Sequence, residues 1–535
     1  MRKIFTLLLI GLVALAGYLF WNVPKDHELI IIATNDLHSR FFDSSYVQPS
    51  THPSSLSKVY QYVSDQRREH GKNNVLLLDI GDVLQGDNAA YYFSYKDTSG
   101  QAHLMSRIFN FMGYDAAIVG NHDIETGHAV YDRIQSELQL PYLAANALDT
   151  CGQPYFQEYA TFHRGGLDIV VLGMTNPNIH KWLTPSLWSG IDFRPIQEGL
   201  QEKIDAIRKK ENPDLFILAI HAGIGGPEEG DENPAYLLAT QLQGVDAIFA
   251  AHDHRKFNET IGENQIQLLE GGSRAGYVAK LHVQYTRKQG KIENKTQSGE
   301  LVKMDSLPSS AIYNERFDSD FQTVKSFTTR PVGFIQQPMY FEQALQGPSF
   351  YMNFIHTVQM TSTGAELSIA APLNTHNIIE AGTINHNDLF LIYPFENQLY
   401  RIWMTGQELQ AYLEQSYDAW INRQGPAYNY DSVAGLIYEV DKKAPKGKRV
   451  RILKQADGQA FDPQKQYSVA INSYRASGAG DLFQLTGLTA NDLEKRISER
   501  LPEIRVLIDQ YLQQHPQIDE NTLEKEKIGY WRFIF

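Results

Sequence analysis

At 535 residues the chain is long enough for two domains, and its 42% hydrophobic content supports sizeable cores. The 48 basic against 62 acidic residues give a net charge of −14, which argues against a surface built to hold a nucleic-acid polymer. The single cysteine, Cys151, excludes an internal disulfide, so the fold holds without one.

The first element is a leader. Arg2-Lys3 precede Ile4–Trp21, an uncharged apolar run, and Asn22-Val23-Pro24-Lys25 follow. A basic start plus an apolar stretch addresses the export machinery. The run also reaches the lower limit of a membrane span, and Ala14-Leu15-Ala16 offers a cleavage site. Residues 1–26 are therefore expected to be a signal peptide or an N-terminal anchor, with the rest outside the cytoplasm (periplasm or cell surface). Membrane contact is expected only through this segment, and no protein partner is inferred.

Five short apolar runs follow, each ending in polar residues suited to a divalent metal. Ile30–Ala33 runs into Thr34-Asn35-Asp36-Leu37-His38, Val75–Leu78 into Asp79-Ile80-Gly81-Asp82, and Ala116–Val119 into Gly120-Asn121-His122-Asp123. Leu215–Ile220 runs into His221-Ala222-Gly223, and Ala247–Ala251 into His252-Asp253-His254. Such runs read as buried strands, and open α/β sheets collect ligands beyond the carboxyl ends of their strands. Any one of these polar residues is an ordinary loop residue; five consistent strand ends describe one site. In extended chain, residues two apart share a face, which pairs Asp36 with His38 and His252 with His254. Mixed carboxylate, carboxamide and imidazole donors suit Zn²⁺, Mn²⁺ or Fe rather than Ca²⁺. Seven donors exceed a four-coordinate structural site, whereas two divalent metal ions sharing a bridging carboxylate use them all.

The series TNDLHSR (34–40), GDVLQGD (81–87), GNHD (120–123), HAG (221–223) and AHDH (251–254) resembles the calcineurin-like metallophosphoesterases. Within them it is similar to the 5′-nucleotidases and the 2′,3′-cyclic-nucleotide phosphodiesterase/3′-nucleotidases, over roughly residues 27–490. The resemblance implies that Asp36, His38, Asp82 and His254 hold one metal, with Asp82 bridging, and that Asn121, His221 and His252 complete the second. His122 is then the catalytic histidine beside the phosphate. In the 5′-nucleotidases an Asp three residues later often pairs with it; here that position is Glu125, one methylene longer. Asp123 and Glu125 equally suit the start of a helix from about Gly127 to Leu138.

The implied fold is α/β: a four-layer sandwich of helices flanking two mixed sheets, then an α+β substrate domain, joined by a helical linker. The expected boundaries are 27–304 for the catalytic domain, 305–332 for the linker, 333–518 for the second domain and 519–535 for a tail without assignable function. A last catalytic strand near Val278–Gln284 precedes the polar run Arg287–Lys295. Helices are expected at Ser349–Thr361 and Gly406–Trp420, with strands at Leu399–Met404, Gly435–Val440 and Tyr467–Ile471.

Two segments of the second domain, PAYNYDSVAG (426–435) and NSYRASGAGDLF (472–483), resemble the loops that clamp a nucleobase between aromatic rings. By that match Tyr430 and Tyr474 are the stacking pair and Asp481 holds ribose hydroxyls. The Arg that helps the 5′-nucleotidases bind substrate phosphate is missing from Ala370–His376. The implied activity is direct, metal-dependent hydrolysis of small nucleotides, foremost 2′,3′-cyclic and 3′-nucleotides. A 5′-nucleotidase or nucleotide-sugar hydrolase is the alternative, and an inactive nucleotide-binding surface protein the remote one. A sulfur-compound esterase on the same two domains would keep the metals and lack the rings.

Overall fold

The computed structural model describes residues 25–47, 50–227, 230–289, 291–523 and 525–534. The expected leader Ile4–Trp21 lies outside the described residues. Among those described, no helix is long and apolar enough to cross a membrane.

Strands buried on both faces need a continuous apolar run, and each face then finds a different partner. Along Lys25–Thr34, Leu29, Ile31 and Ala33 enter one core while Ile30 and Ile32 enter another. This strand joins Val75–Asp79, Ala116–Ile118 and Tyr142–Leu143 in parallel, and Tyr277–Lys288 and Lys291–Lys303 add antiparallel, making a six-stranded sheet. The second six-stranded sheet has Ile266–Gly271, Ala247–Phe249, Leu215–His221 and Leu167–Thr175 in parallel, with Lys256–Ile261 and Tyr159–Arg164 antiparallel at its edges. Leu29, Ile31, Leu76, Val171 and Ile217 fill the space between the sheets. Helices Leu56–His70 and Leu104–Met112 cover the outside of the first sheet, and Leu200–Glu211 and Ala235–Gln241 that of the second. The result is a four-layer sandwich.

The polar run after Val278–Gln284 is not an exit from the domain. It turns into a further strand, Lys291–Lys303, whose side chains are mostly exposed because it forms the sheet edge. An edge strand with one wet side carries no apolar run, which is why the sequence pattern hides it.

Helix Ala311–Thr328 lies in the stretch expected to link the domains. Ser310 caps it by accepting from the Tyr313 N–H, and Tyr313, Phe317 and Val324 bury against the catalytic core. Arg107 grips Asp320 with both Nη atoms, at 3.0 and 2.6 Å. The linker is therefore fastened to the first domain.

In the second domain a five-stranded sheet runs in the order Ser432–Ala434, Leu367–Ala370, Gln466–Asn472, Gln398–Thr405, Ile497–Glu503. Helices Phe350–Thr363, Gly406–Ile421 and Ile504–Gln514 pack on it. The tail is part of this domain rather than an appendage: Gly529–Ile534 pairs in parallel with Leu436–Asp441 along six residues. Trp531, 6% exposed, sits 5.3 Å from the rings of Tyr417 and Trp420. Between the domains, Tyr91 meets His386 and Phe390, and the Arg505 guanidinium lies over both Tyr91 and Phe390.

Trp531→Ala should lower the stability of the second domain by about 3–5 kcal/mol, the cost of emptying a buried aromatic site. The midpoint of its unfolding transition measures this; an unchanged midpoint would show the tail to be dispensable.

Candidate metal and phosphoester site

All five runs become strands, and their carboxyl ends meet at one edge of the sandwich. Two clusters form there: Asp36, His38 and His254 in one, and Asp82, His221 and His252 in the other, with donor atoms within 4.8 Å of one another inside each cluster. His38 Nε2 and His254 Nε2 are 3.0 Å apart, and His254 Nε2 lies 3.6 Å from an Asp36 oxygen. Asp82 Oδ2 is 3.1 Å from His221 Nε2. The Asn121 carboxamide oxygen sits between His221 Nε2 at 3.1 Å and His252 Nδ1 at 2.9 Å. The structure thus brings together all seven expected donors.

The pairing by alternate positions needs correction. His252 and His254 fall in different clusters, because the chain there is not extended: their φ angles are +89° and +58°. Asp36, His38 and Asp82 also take positive φ, at +46°, +43° and +59°. Left-handed backbone costs non-glycine residues of order 1–3 kcal/mol each and collects where function over-determines the geometry. Five of the seven donors carry that strain. Gly120 is required by close approach: a Cβ there would lie 2.2 Å from Asp82 Oδ1.

The surroundings fit divalent cations. Ile80 C=O accepts from His221 Nδ1 at 2.7 Å, and Gln85 Oε1 accepts from His38 Nδ1 at 3.1 Å, leaving both Nε2 lone pairs directed at the clusters. Burial pushes His38 well below its ordinary value, so it stays neutral as a ligand must. Burial likewise pushes the Asp36 carboxyl up, a penalty that a bound cation removes. Asp123, read from sequence as a possible helix cap, accepts from the N–H groups of Gly120, Asp82, Val83 and Leu84 at 2.9–3.1 Å. It knits the Asp82 loop to the Asn121 loop. No spacing rule reveals it, nor the Trp182 ring stacked on His252 at 5.2 Å and 16°.

His122 stands beside the clusters, its ring 5.6 Å from that of His38. Glu125 Oε2 accepts from its Nδ1 at 2.5 Å, so the longer side chain does close the pair and leaves Nε2 open. Burial alone would lower the His122 pKa; the Asp82 and Glu125 carboxylates outweigh it and hold it up to about 10. Cations at Asp82 oppose that residue's share and leave Glu125 as the main support.

Across the cleft, the proposed ring pair is not assembled from Tyr430. That ring is 7% exposed, stacks on Trp420 at 5.6 Å, and its hydroxyl donates to Gly425 C=O. The 3₁₀ turn Ala427–Asn429 turns Tyr428 outward instead, 38% exposed, with its edge against Phe395. Tyr428 and Tyr474 lie within electrostatic reach of each other and of Glu232, whose carboxylate is 3.4 Å from His252 Nε2. Ser477 donates to Lys181 C=O at 2.8 Å, so the Tyr474 loop touches the segment carrying Trp182. Asp481, exposed and at φ +58°, lies near Tyr474.

Residues 29–256 match the calcineurin-like phosphoesterase family, and residues 331–487 match the 5′-nucleotidase C-terminal domain. The trifunctional nucleotide phosphoesterase YfkN of Bacillus subtilis is 25% identical over 93% of this chain, which spans only 39% of that protein's length. A Vibrio parahaemolyticus 5′-nucleotidase is 25% identical, covering 94% of this chain and 92% of its own. A Yersinia enterocolitica 2′,3′-cyclic-nucleotide 2′-phosphodiesterase/3′-nucleotidase is 23% identical, covering 85% and 82%. In fold, the chain resembles a 5′-nucleotidase precursor from Thermus thermophilus, with a TM-score of 0.66 at 20% identity over 94% and 99% of the two chains.

Asp82→Asn should strip metal and cost on the order of a hundredfold or more in turnover. His122→Ala should lose rate with metal content intact, as elemental analysis would show. Glu125→Gln removes the charge that holds the imidazolium, so the pKa falls and the alkaline limb of the rate profile moves to lower pH. An unmoved limb would deny His122 the proton-donor role.

Proposed function

We propose that this chain, which belongs to the calcineurin-like metallophosphoesterases and carries a 5′-nucleotidase C-terminal domain, is an extracytoplasmic nucleotide phosphoesterase with two metals. The observation that carries the proposal is the convergence of seven donors and a carboxylate-held histidine at one edge of the sandwich, which the Tyr474 loop touches through the Ser477 bond to Lys181 C=O.

Asp36, His38, Asp82 and His254 would hold one ion, and Asn121, His221 and His252, with Asp82 shared, the other. Divalent ions there supply Lewis-acid polarisation of the phosphoester and activation of the attacking water. The protein's own groups do the rest. His122, with Nδ1 committed to Glu125, offers Nε2–H to a phosphoryl oxygen or to the leaving oxygen. Positioning the phosphate between His122 and the clusters holds it for displacement. No step needs a covalent enzyme intermediate; Cys151 is exposed and belongs to none of the motifs.

The nucleobase is assigned to Tyr428 and Tyr474, with Asp481 near the second ring for sugar hydroxyls. Base stacking is worth about 1–3 kcal/mol and tolerates many bases. The absence of an Arg in Ala370–His376 supports 2′,3′-cyclic and 3′-nucleotides as preferred substrates. The relatives carry names of both branches, and the 5′-nucleotidase reading stays the alternative. The basic start and apolar run Ile4–Trp21 support export, which a mature N-terminus at Gly17 or a membrane-bound full chain would each substantiate.

A substrate panel read by phosphate release tests the assignment. Cyclic and 3′-nucleotides should outpace 5′-AMP, and a chelator should abolish all three activities until Mn²⁺ is restored. A clear preference for 5′-AMP would overturn the branch and leave the metal chemistry standing. Tyr428→Ala should raise the nucleotide KM by about tenfold, whereas Tyr430→Phe, keeping the buried ring, should leave it near the parent value.

A further inference from the structure

The loop NSYRASGAGD holds a charge that the chemistry does not use. Arg475 is 2% exposed, its guanidinium held between the loops that carry the two rings. Its Nε donates to Asp431 Oδ2 at 2.7 Å, and Asp431 is itself fully buried. A guanidinium paired with a carboxylate frequently makes two parallel hydrogen bonds to it. This one does not: among the described residues Asp431 Oδ1 has no hydrogen-bond partner. The remaining donors go to the loops instead. Nη1 donates to Ala479 C=O at 3.1 Å, and Nη2 donates to Tyr428 C=O and to Asn429 Oδ1, the latter at 3.0 Å.

Those contacts span the site. Tyr428 C=O belongs to the first ring's own residue. Ala479 lies in the loop of the second ring, where its N–H donates back to Tyr474 C=O at 3.3 Å. The guanidinium is also 5.3 Å from the Tyr474 ring. Behind it, Tyr412 OH donates to the same Asp431 oxygen, and Ser416 donates to Asp431 C=O at 2.8 Å, which fixes the anchor to helix Gly406–Ile421. Gly480 makes room: its φ is +81°, and a Cβ there would lie 2.2 Å from Arg475 Nη1 and 2.8 Å from Asn429 Oδ1.

We infer that Arg475 is a positioning residue that sets the gap between the Tyr428 and Tyr474 rings, and so the affinity for the base. A planar fork of fixed width joins the two loops at one separation, whereas a lysine can satisfy Asp431 at a single point only. The inference rests on the reading of Tyr428 and Tyr474 as the base-binding rings.

The test uses the full chain with two variants, Arg475→Lys and Gly480→Ala, and Tyr474→Ala as reference. Three readouts are taken: KM and kcat on a 3′-nucleotide, inhibition by the free nucleoside adenosine, and kcat/KM on a base-free aryl phosphate. Arg475→Lys and Gly480→Ala should each raise the nucleotide KM and the adenosine inhibition constant by about tenfold, the scale of a lost stacking contact. The base-free substrate should be turned over at the parent kcat/KM. Should Arg475→Lys fail to fold, Gly480→Ala decides, since it retains the buried Arg475–Asp431 pair and displaces only the fork. Equal losses on both substrates, or an unmoved nucleotide KM where Tyr474→Ala raises it, would overturn the positioning role. If Tyr474→Ala itself leaves the nucleotide KM unmoved, the ring assignment falls and the inference falls with it.

Discussion

The structure depends on concentrating ionisable groups where water does not reach. Asp36, Asp82 and His221 are at most 1% exposed, and His38 is 5% exposed. Removing such groups from water costs several kcal/mol per ion unless partners repay it. Much of the local architecture serves that repayment. Two mixed sheets place the ends of five strands at one edge, left-handed turns fold the donors inward, and glycine lets the Asn121 loop close over Asp82. Asp123 gathers four backbone donors, each worth about 1.5–3 kcal/mol as a bond to a charged acceptor. With two divalent ions in the clusters, the strain and the desolvation have one common compensation.

On the proposed reading, recognition is divided between the domains for a physical reason. A metal site at the edge of the sandwich would distinguish a phosphoester from other groups and be blind to the base. The rings lie on loops leaving a separate sheet, at Ser432–Ala434 and Gln466–Asn472, where a π-face can be offered without disturbing the donors. The two parts still touch. Lys181 C=O takes a hydrogen bond from Ser477 while its neighbour Trp182 stacks on His252. A cavity of about 200 Å³ between the domains is bounded by Glu125 and Trp182 on one side and by Glu396, Ser473 and Glu503 on the other. The carboxylate that orients His122 therefore lies against the second domain.

Much of this was legible in residue order. Buried parallel strands write themselves as unbroken apolar runs, and their ends announce the donors, so the strands and the seven candidate donors could be read directly, whereas the four-layer arrangement was implied by resemblance. Features made by tertiary approach could not. Asp123 does cap the short helix Asn121–Glu125 through the Gly120 N–H, and what the local pattern hides is that its other three donors, Asp82, Val83 and Leu84, lie about 40 residues upstream. Strand Lys291–Lys303 looks like a loop because its outer face is wet. The tail looks unassigned because its alternation, Tyr530-Trp531-Arg532-Phe533, gains meaning only beside Leu436–Asp441.

The ring assignment shows where reading by likeness fails. Tyr428 and Tyr430 are two apart, and in an extended strand both would face the same way. A single 3₁₀ turn, Ala427–Asn429, separates them: the Tyr430 N–H donates to Ala427 C=O at 2.9 Å, and its ring drops onto Trp420. What sends one ring into the core and the other to the cleft is the buried pair beneath them. Asp431 follows Tyr430 directly and is drawn inward by Arg475 and Tyr412, taking Tyr430 with it, while Nη2 of the same Arg475 holds Tyr428 C=O at the rim. The choice between two tyrosines in one short motif is thus made by an ion pair 44 residues long in sequence, beyond the reach of any local pattern.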